Sequence, residues 1–81
     1  MHNTNTIAKY LGKMIRKFRV DKDITQEDLA DIVGIDRSYM GHIERGEYNV
    51  SAEKLYFIAR ALNIEDVGQF FPSIKSFKLG K

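Results

Sequence analysis

The chain has 81 residues, contains neither cysteine nor tryptophan, is 43% hydrophobic and carries a net charge of +2. This length supports a single modest core, because a domain of this size buries only about 60% of its unfolded surface, and a large enzyme pocket is not expected. The absence of cysteine excludes a disulfide framework and a thiolate metal site.

Membrane, secretory and metal-dependent classes are also disfavoured. No apolar run approaches the roughly 20 residues of a membrane-spanning helix, and the polar residues 1–5 do not resemble a signal peptide. His2 and His42 have no second histidine at metal-ligand spacing, and no glycine-rich phosphate loop is present. We therefore expect a cytoplasmic protein without membrane contact, metal, cofactor or enzymatic activity.

The first predicted helix covers residues 6–22, where apolar residues recur at helical spacing. They are Ile7, Leu11, Met14, Ile15 and Phe18. The opposite face carries a basic stripe made of Lys9, Lys13, Arg16 and Lys17. This stripe is either a solvated surface or a direct DNA contact, and the pattern alone leaves both open.

Two short helices follow, joined by a three-residue turn. Thr25 is a typical N-cap for the second helix, and Gly34 ends it. Asp36 caps the third helix, which closes at Gly46 in a predicted left-handed conformation. An apolar wedge is expected between the two, formed by Leu29, Val33, Ile35, Met40 and Ile43, and the small Ala30 is expected where the third helix crosses the second closely. Two short helices joined in this way define a helix-turn-helix.

The remaining pattern is also helical. Ser51 caps a fourth helix, and a short fifth helix is predicted over residues 65–71, before Pro72 ends regular helix. The core side of the fourth helix carries Leu55, Ile58, Ala59 and Leu62. We predict an all-α, compact five-helix domain over residues 1–71 and a C-terminal tail over residues 72–81.

Three segments resemble the Cro/cI-type (XRE) helix-turn-helix family: residues 25–30 (TQEDLA), 34–40 (GIDRSYM) and 43–46 (IERG). The resemblance covers nearly all of residues 7–71. It implies a lambda-repressor-like domain that binds a partly palindromic operator as a homodimer and reads it with the helix beginning near Arg37. The segments DRSY and IERG are most similar to short stand-alone regulators such as the controller proteins of restriction-modification systems. One departure is Asp23, where the family commonly has glycine; aspartate tolerates the left-handed region better than most residues.

The outward face of the third helix carries the candidate base-contacting residues Arg37, Ser38, Gly41 and His42. The Arg37 fork can bond guanine O6 and N7 together, and Ser38 and His42 can exchange hydrogen bonds with base edges. Gly41 costs about 1 kcal/mol relative to alanine within a helix. It either lets the backbone lie close to the groove floor or is a tolerated defect.

Candidate contacts to the DNA backbone, which position the protein without reading sequence, are Gln26, Tyr39, Arg45, Tyr48 and Asn49. Gln26 lies at the N-terminus of the second helix, where free amides favour a phosphate oxygen, and the family resemblance implies the same contact. Tyr39 has the alternative of packing over the second helix, and Tyr48 that of packing within its loop.

The resemblance also implies a structural ion pair between Arg19 and Glu44 that fixes the reading helix to the first helix. If this pair is partly buried, loss of one partner costs about 3 to 5 kcal/mol. Two solvated charges would contribute almost nothing.

Apolar residues near the C-terminus predict a dimer interface made of Ile64, Val67, Phe70 and Phe71. Adjacent phenylalanines point in different directions, so at least one ring is expected to be exposed in a monomer. A symmetric dimer would set two reading helices about 34 Å apart, one turn of DNA. The alternative is a monomer with both rings inside. The tail is a basic arm, an added strand or part of the dimer contact.

These patterns predict a sequence-specific transcriptional regulator whose partner is double-stranded DNA. One alternative is an antitoxin that binds DNA and also a toxin protein, the latter through Ile74, Phe77 or Leu79 of the tail. Another is a helical interaction module with no DNA role.

Overall fold

A computed structural model of the chain describes residues 6–77. Its elements, in chain order, are α1 (Thr6–Asp21), α2 (Gln26–Val33), α3 (Arg37–Glu44), α4 (Ala52–Ala61) and a 3-10 helix (Val67–Phe70). Within this range there is no strand, so the predicted all-α class with a helix-turn-helix is confirmed.

The predicted count of five α-helices was wrong at the last element, which is a single turn of 3-10 helix. Asp66 caps this turn by accepting a hydrogen bond from the Gly68 amide at 2.9 Å, and Pro72 follows shortly after it. Four residues are too few for a ladder of α-helical hydrogen bonds, so the tighter 3-10 turn forms instead.

Side-chain caps fix the ends of the helix-turn-helix, as predicted. The Thr25 hydroxyl accepts from the Asp28 amide at 3.0 Å, and the Asp36 carboxylate accepts from the Ser38 amide at 2.8 Å. Gly34 ends α2 in the left-handed region, with φ of 86°. Local sequence therefore determines where both helices begin and where α2 ends.

In the turn between α1 and α2, Asp23 stands where the family commonly has glycine. Asp23 takes a left-handed φ of 59°. The turn is closed by the Ile24 amide, which donates to the Arg19 carbonyl at 3.1 Å. Aspartate thus adopts the conformation for which glycine is the usual residue.

The core lies between the four helices and the 3-10 turn. Its fully buried large side chains are Ile15, Leu29, Met40, Ile43, Ile58, Leu62 and Phe70. Phe70 packs edge-on against Phe18, with ring centroids 5.3 Å apart. The prediction that Phe70 belongs to a dimer interface is therefore wrong, because its side chain is 0% exposed. Its neighbour Phe71 points outward and is 41% exposed.

Two glycines let α1 pass directly over the C-terminal end of α3. A Cβ atom at Gly12 would lie 2.5 Å from the Glu44 carbonyl oxygen and would also strike the carbonyl of Ile43. A Cβ at Gly46 would lie 2.6 Å from the Lys9 Cα. This backbone-to-backbone contact sets the position of the reading helix relative to α1.

None of the helices between residues 6 and 77 is long and apolar enough to cross a membrane.

Candidate nucleic-acid interface

The exposed side of α3 and the first residue of α2 enclose a shallow cavity of about 240 Å³. It is lined by Gln26, Arg37, Ser38, Gly41, His42 and Arg45. All four predicted base-contacting residues are in this set, together with two of the five predicted backbone-contacting residues. The helix-turn-helix therefore brings Gln26 to the same surface as five residues between positions 37 and 45.

Arg37 and Ser38 lie at the solvent-facing start of α3. Asp36 holds the first turn of the helix, so both side chains project from an ordered backbone. The Arg37 side chain is exposed and has no hydrogen-bond or ion-pair partner among residues 6–77. All of its donors are thus available to a ligand such as a guanine edge.

Gly41, for which the sequence left open either a close approach to the groove floor or a tolerated defect, lies beneath two other side chains of the site. Gly41 is buried, because the side chains of two other site residues cover it. The Arg45 Nη1 atom lies 3.2 Å, and the Gln26 Oε1 atom 3.5 Å, from the place where a Cβ would stand. The missing side chain leaves room for the Arg45 guanidinium, whereas the Gln26 oxygen would be in ordinary contact with a Cβ atom.

A buried ion pair connects this surface to the scaffold. Arg19 donates to Glu44 through Nε at 2.7 Å and through Nη2 at 3.0 Å, and the two residues are 9% and 8% exposed. Arg19 Nη1 also donates to the Ile24 carbonyl at 2.8 Å. The two hydrogen bonds to Glu44 fix α1 to α3, and the bond to Ile24 fixes the turn after α1 to the same arginine.

Gln26 joins the same network. Its Nε2 donates to Glu44 Oε1 at 3.1 Å, so the side-chain amide is oriented by the ion pair. An amide NH₂ has two N–H groups, and the second is left for an external acceptor such as a phosphate oxygen. The ion pair therefore orients a candidate DNA contact.

A second polar cluster, which the sequence analysis did not foresee, is formed by His42, Arg45 and Glu47. Glu47 Oε2 accepts from Arg45 Nε at 3.1 Å, and Oε1 lies 2.6 Å from His42 Nδ1. Hydrogen bonds from Arg45 and His42 lower the pKa of the Glu47 carboxyl below its usual value, and the bond from Arg45 has the larger effect. The alternation of basic and acidic residues after α3 was the available signal, but the pairing depends on the turn at Gly46.

Three aromatic rings extend from the cavity along the loop. The Tyr48 ring lies 4.9 Å from the His42 ring and 5.7 Å from the Tyr39 ring, measured between centroids. Tyr39 is half-buried and packs against the core, whereas Tyr48 and Asn49 are exposed. Tyr39 and Tyr48 are therefore beside the cavity and not in its lining, whereas Asn49 lines a different groove, together with Leu55 and Phe71.

The basic stripe of α1 is exposed along its length, and none of its residues lines this cavity. Lys13, Arg16 and Lys17 line a separate shallow depression with Val20 and Asp21. Lys17 pairs with Asp21 at 3.4 Å, an exposed contact of the kind that contributes little to stability.

The other predicted surface, near the C-terminus, is partly apolar. Ile64 and Val67 are half-buried against the core, and Phe71 is exposed. Sequence analysis missed Tyr56 and Phe57, which are 61% and 49% exposed on α4. Their position off the apolar stripe of α4 was the signal that could have found them.

The tail residues of the alternative toxin contact are only partly described. Ile74 is 88% exposed, and Phe77 is half-buried. Leu79 lies outside the described residues. Within the described range no group of three or more histidine, aspartate or glutamate residues could hold a metal ion.

The fold and this surface define a helix-turn-helix domain, and the comparison with protein families gives the same class. The family described as "Helix-turn-helix" matches residues 15–67, and the chain belongs to that family. The resemblance to Cro/cI-type regulators is thereby confirmed, and the protein is a DNA-binding transcriptional regulator of this class.

Its relatives include control proteins, the kind of regulator that its DRSY and IERG segments resemble. The chain is 40% identical over 57 residues to control protein C.SmaI of Serratia marcescens, covering 70% of this chain and 68% of the relative. It is 36% identical over 63 residues to control protein C.BamHI of Bacillus amyloliquefaciens, covering 76% and 78%. The crystal structure of the restriction-modification controller protein C.AhdI of Aeromonas hydrophila superposes with a TM-score of 0.74 at 39% identity, covering 79% of this chain and 96% of that one.

Proposed function

We propose that the protein is a sequence-specific regulator that binds an operator as a symmetric dimer and reads each half-site with α3 in the major groove. The observation that carries this proposal is the cavity on α3, whose lining contains five side chains able to hydrogen-bond to DNA and no acidic one. An α-helix fits the major groove, where each base pair presents a distinct pattern of donors and acceptors.

Roles follow from where the residues lie. Arg37, Ser38 and His42 are exposed or half-exposed on α3 and are proposed to contact base edges. Gln26 is proposed to donate its second amide N–H to a phosphate. Tyr39 and Tyr48, which border the cavity, and Asn49, which follows Tyr48 in the loop, are proposed to contact the DNA backbone.

The dimer is proposed to form through the exposed apolar surface around Phe71. This surface includes a mainly apolar groove lined by Leu55, Val67 and Phe71. It adjoins a mixed groove, in which Tyr56, Phe57 and Ile64 stand beside Arg60, Glu65 and Asp66. Solvent-exposed aromatic rings beside apolar grooves are typical of a protein contact surface. Phe70 is not part of it, since that ring fills the core.

Footprinting on DNA upstream of the protein's own gene tests the proposal, because small regulators often bind there. The expected result is protection of two half-sites related by symmetry and centred about 10 base pairs apart. The duplex so defined then serves for binding measurements.

Arg37→Ala should weaken binding to that duplex by about 1 to 3 kcal/mol and leave binding to scrambled DNA nearly unchanged. Arg16→Ala removes the same charge from the α1 stripe and is the control. Equal losses on both duplexes for Arg37→Ala would contradict a base-reading role.

A second candidate function is an antitoxin that also binds a toxin protein through the tail. The 88% exposure of the apolar Ile74 side chain favours it. Deletion of residues 72–81 would then abolish toxin binding and spare operator binding; unchanged toxin binding would exclude a role for the tail.

A further inference from the structure

Glu47 holds the guanidinium of Arg45 along one edge. Its two carboxylate oxygens accept from Arg45 Nε at 3.1 Å and from Nη2 at 3.3 Å. Such a two-point contact fixes the orientation of the guanidinium plane as well as its position. The remaining corner, Nη1, is the atom that lies over Gly41. Glu47 therefore directs the free donors of Arg45 into the cavity on α3.

Gly41 is what allows this orientation. The Arg45 Nη1 atom is 3.2 Å, and its Cζ atom 3.9 Å, from the site that an alanine methyl group would take. A methyl group at position 41 would be in tight contact with Nη1, so the guanidinium would have to shift by a few tenths of an ångström. The glycine and the glutamate thus act on the same group from opposite sides.

Glu47 also determines which nitrogen of His42 carries a proton. A carboxylate only accepts hydrogen bonds, so the 2.6 Å contact from His42 Nδ1 to Glu47 Oε1 requires the proton to be on Nδ1. Arg45 Nη2, at 3.1 Å from the same nitrogen, is then a neighbour of Nδ1 and not a donor to it. The ring nitrogen left for a base is Nε2, and the Tyr48 ring, 4.9 Å away, supports the imidazole from one side.

We propose that Glu47 is a positioning residue for DNA sequence recognition, which aligns Arg45 and His42 so that Arg45 Nη1 and His42 Nε2 reach base edges. Arg45 is accordingly a base-reading residue and not a backbone contact. This inference rests on the proposed insertion of α3 into the major groove. This role of Glu47 differs from the effect ordinarily expected of an acidic residue near DNA, which is repulsion of the phosphates.

Glu47→Gln tests the proposal, because an amide presents a donor to one arm of the arginine fork and so breaks the two-point contact. Glu53→Gln makes the same change of charge at an exposed position in the first turn of α4 and is the matched control. Binding is measured by fluorescence anisotropy with the footprinted duplex and with a scrambled duplex, each over a series of KCl concentrations.

The proposal predicts that Glu47→Gln lowers the ratio of specific to non-specific affinity about tenfold, within the range known for one good base contact. Glu53→Gln should leave that ratio unchanged. In an Arg45→Ala, His42→Ala background, Glu47→Gln should cause no further loss. Tighter binding of Glu47→Gln to both duplexes with a steeper salt dependence, or an unchanged ratio, would overturn the proposal.

A spectroscopic readout separates positioning from a general effect on folding. Long-range ¹H–¹⁵N spectra of the imidazole should show His42 with its proton on Nδ1 in the wild type, and a mixture of forms in Glu47→Gln at unchanged melting temperature. A wild-type protein that binds both duplexes equally would contradict the proposed function itself. If the wild type clearly prefers the footprinted duplex and Glu47→Gln prefers it to the same degree, this inference alone is overturned.

Discussion

At the scale of single residues, the ion pair between Arg19 and Glu44 gives a prediction for stability. Arg19→Met leaves the Glu44 carboxylate 8% exposed with only the Gln26 amide as a side-chain partner. We expect a loss of about 3 to 5 kcal/mol in the free energy of unfolding, because an uncompensated charge remains buried. Urea denaturation followed by circular dichroism measures it.

Two variants accompany that measurement. The double variant Arg19→Met, Glu44→Met should lose less than the sum of the single changes, since it leaves neither charge behind. Lys17→Met breaks the exposed pair with Asp21 and should cost less than about 0.5 kcal/mol. A loss for Arg19→Met as small as that of Lys17→Met would show that the pair is solvated.

Glu47 gives a prediction for pH dependence. Arg45 first, and His42 second, hold the pKa of its carboxyl below the usual value. A lowered pKa in the folded state means that the ionised carboxylate stabilises the loop above the usual glutamate pKa, and that this stabilisation is lost as the pH falls through the lowered value. An NMR titration of the Glu47 carboxyl carbon should therefore have its midpoint below the usual value for a glutamate side chain. Arg45→Ala should raise the midpoint, and an unchanged midpoint would contradict the contact.

Single residues also show why part of the site was predictable. The outward positions Arg37, Ser38 and His42 follow from helical spacing once the apolar side of α3 is known. The role of Glu47 does not follow from spacing, because it depends on a turn that brings residue 47 back beside residue 42. The covering of Gly41 depends likewise on long side chains from two other segments.

At the scale of elements, replacing glycine by alanine is expected to have opposite effects on stability at two positions, Gly12 and Gly41. Gly12 lies at the contact between α1 and the end of α3. Gly12→Ala places a methyl group against the carbonyls of Ile43 and Glu44. Overpacking against backbone should lower stability by about 1 to 3 kcal/mol, even though alanine favours a helix by about 1 kcal/mol relative to glycine. Thermal unfolding measures the change.

Gly41→Ala should behave differently, because its methyl group meets the flexible end of the Arg45 side chain and not backbone. The expected result is an unchanged or higher melting temperature together with weaker binding to the operator, since Arg45 is displaced. A Gly12→Ala variant as stable as the wild type would contradict the close approach of α1 and α3.

Element boundaries were largely predictable because they depend on local chemistry. Thr25, Asp36 and Ser51 all cap the helices they were predicted to cap, and Gly34 takes the left-handed conformation. The helix type of the last element was not predictable, since apolar spacing does not distinguish one turn of 3-10 helix from a short α-helix.

At the scale of the whole molecule, Phe70 and Phe71 separate folding from assembly. Phe71→Ser removes an exposed ring from the proposed dimer surface and should yield a folded monomer in sedimentation velocity experiments. Phe70→Ala empties the core beside Phe18 and should cost about 3 to 5 kcal/mol of stability. A Phe71→Ser protein that sediments like the wild type would place any dimer contact elsewhere.

The central claim is that the helix-turn-helix surface formed by the N-terminus of α2, the exposed side of α3 and the loop after it is the part of the molecule that binds DNA. Titration of the ¹⁵N-labelled protein with the footprinted duplex tests this directly through changes in amide chemical shift. The account predicts the largest changes at Gln26, Arg37, Ser38, His42 and Arg45 and small ones along the outer face of α1. Largest changes at Lys13, Arg16 and Lys17, or around Tyr56 and Phe71, would contradict it.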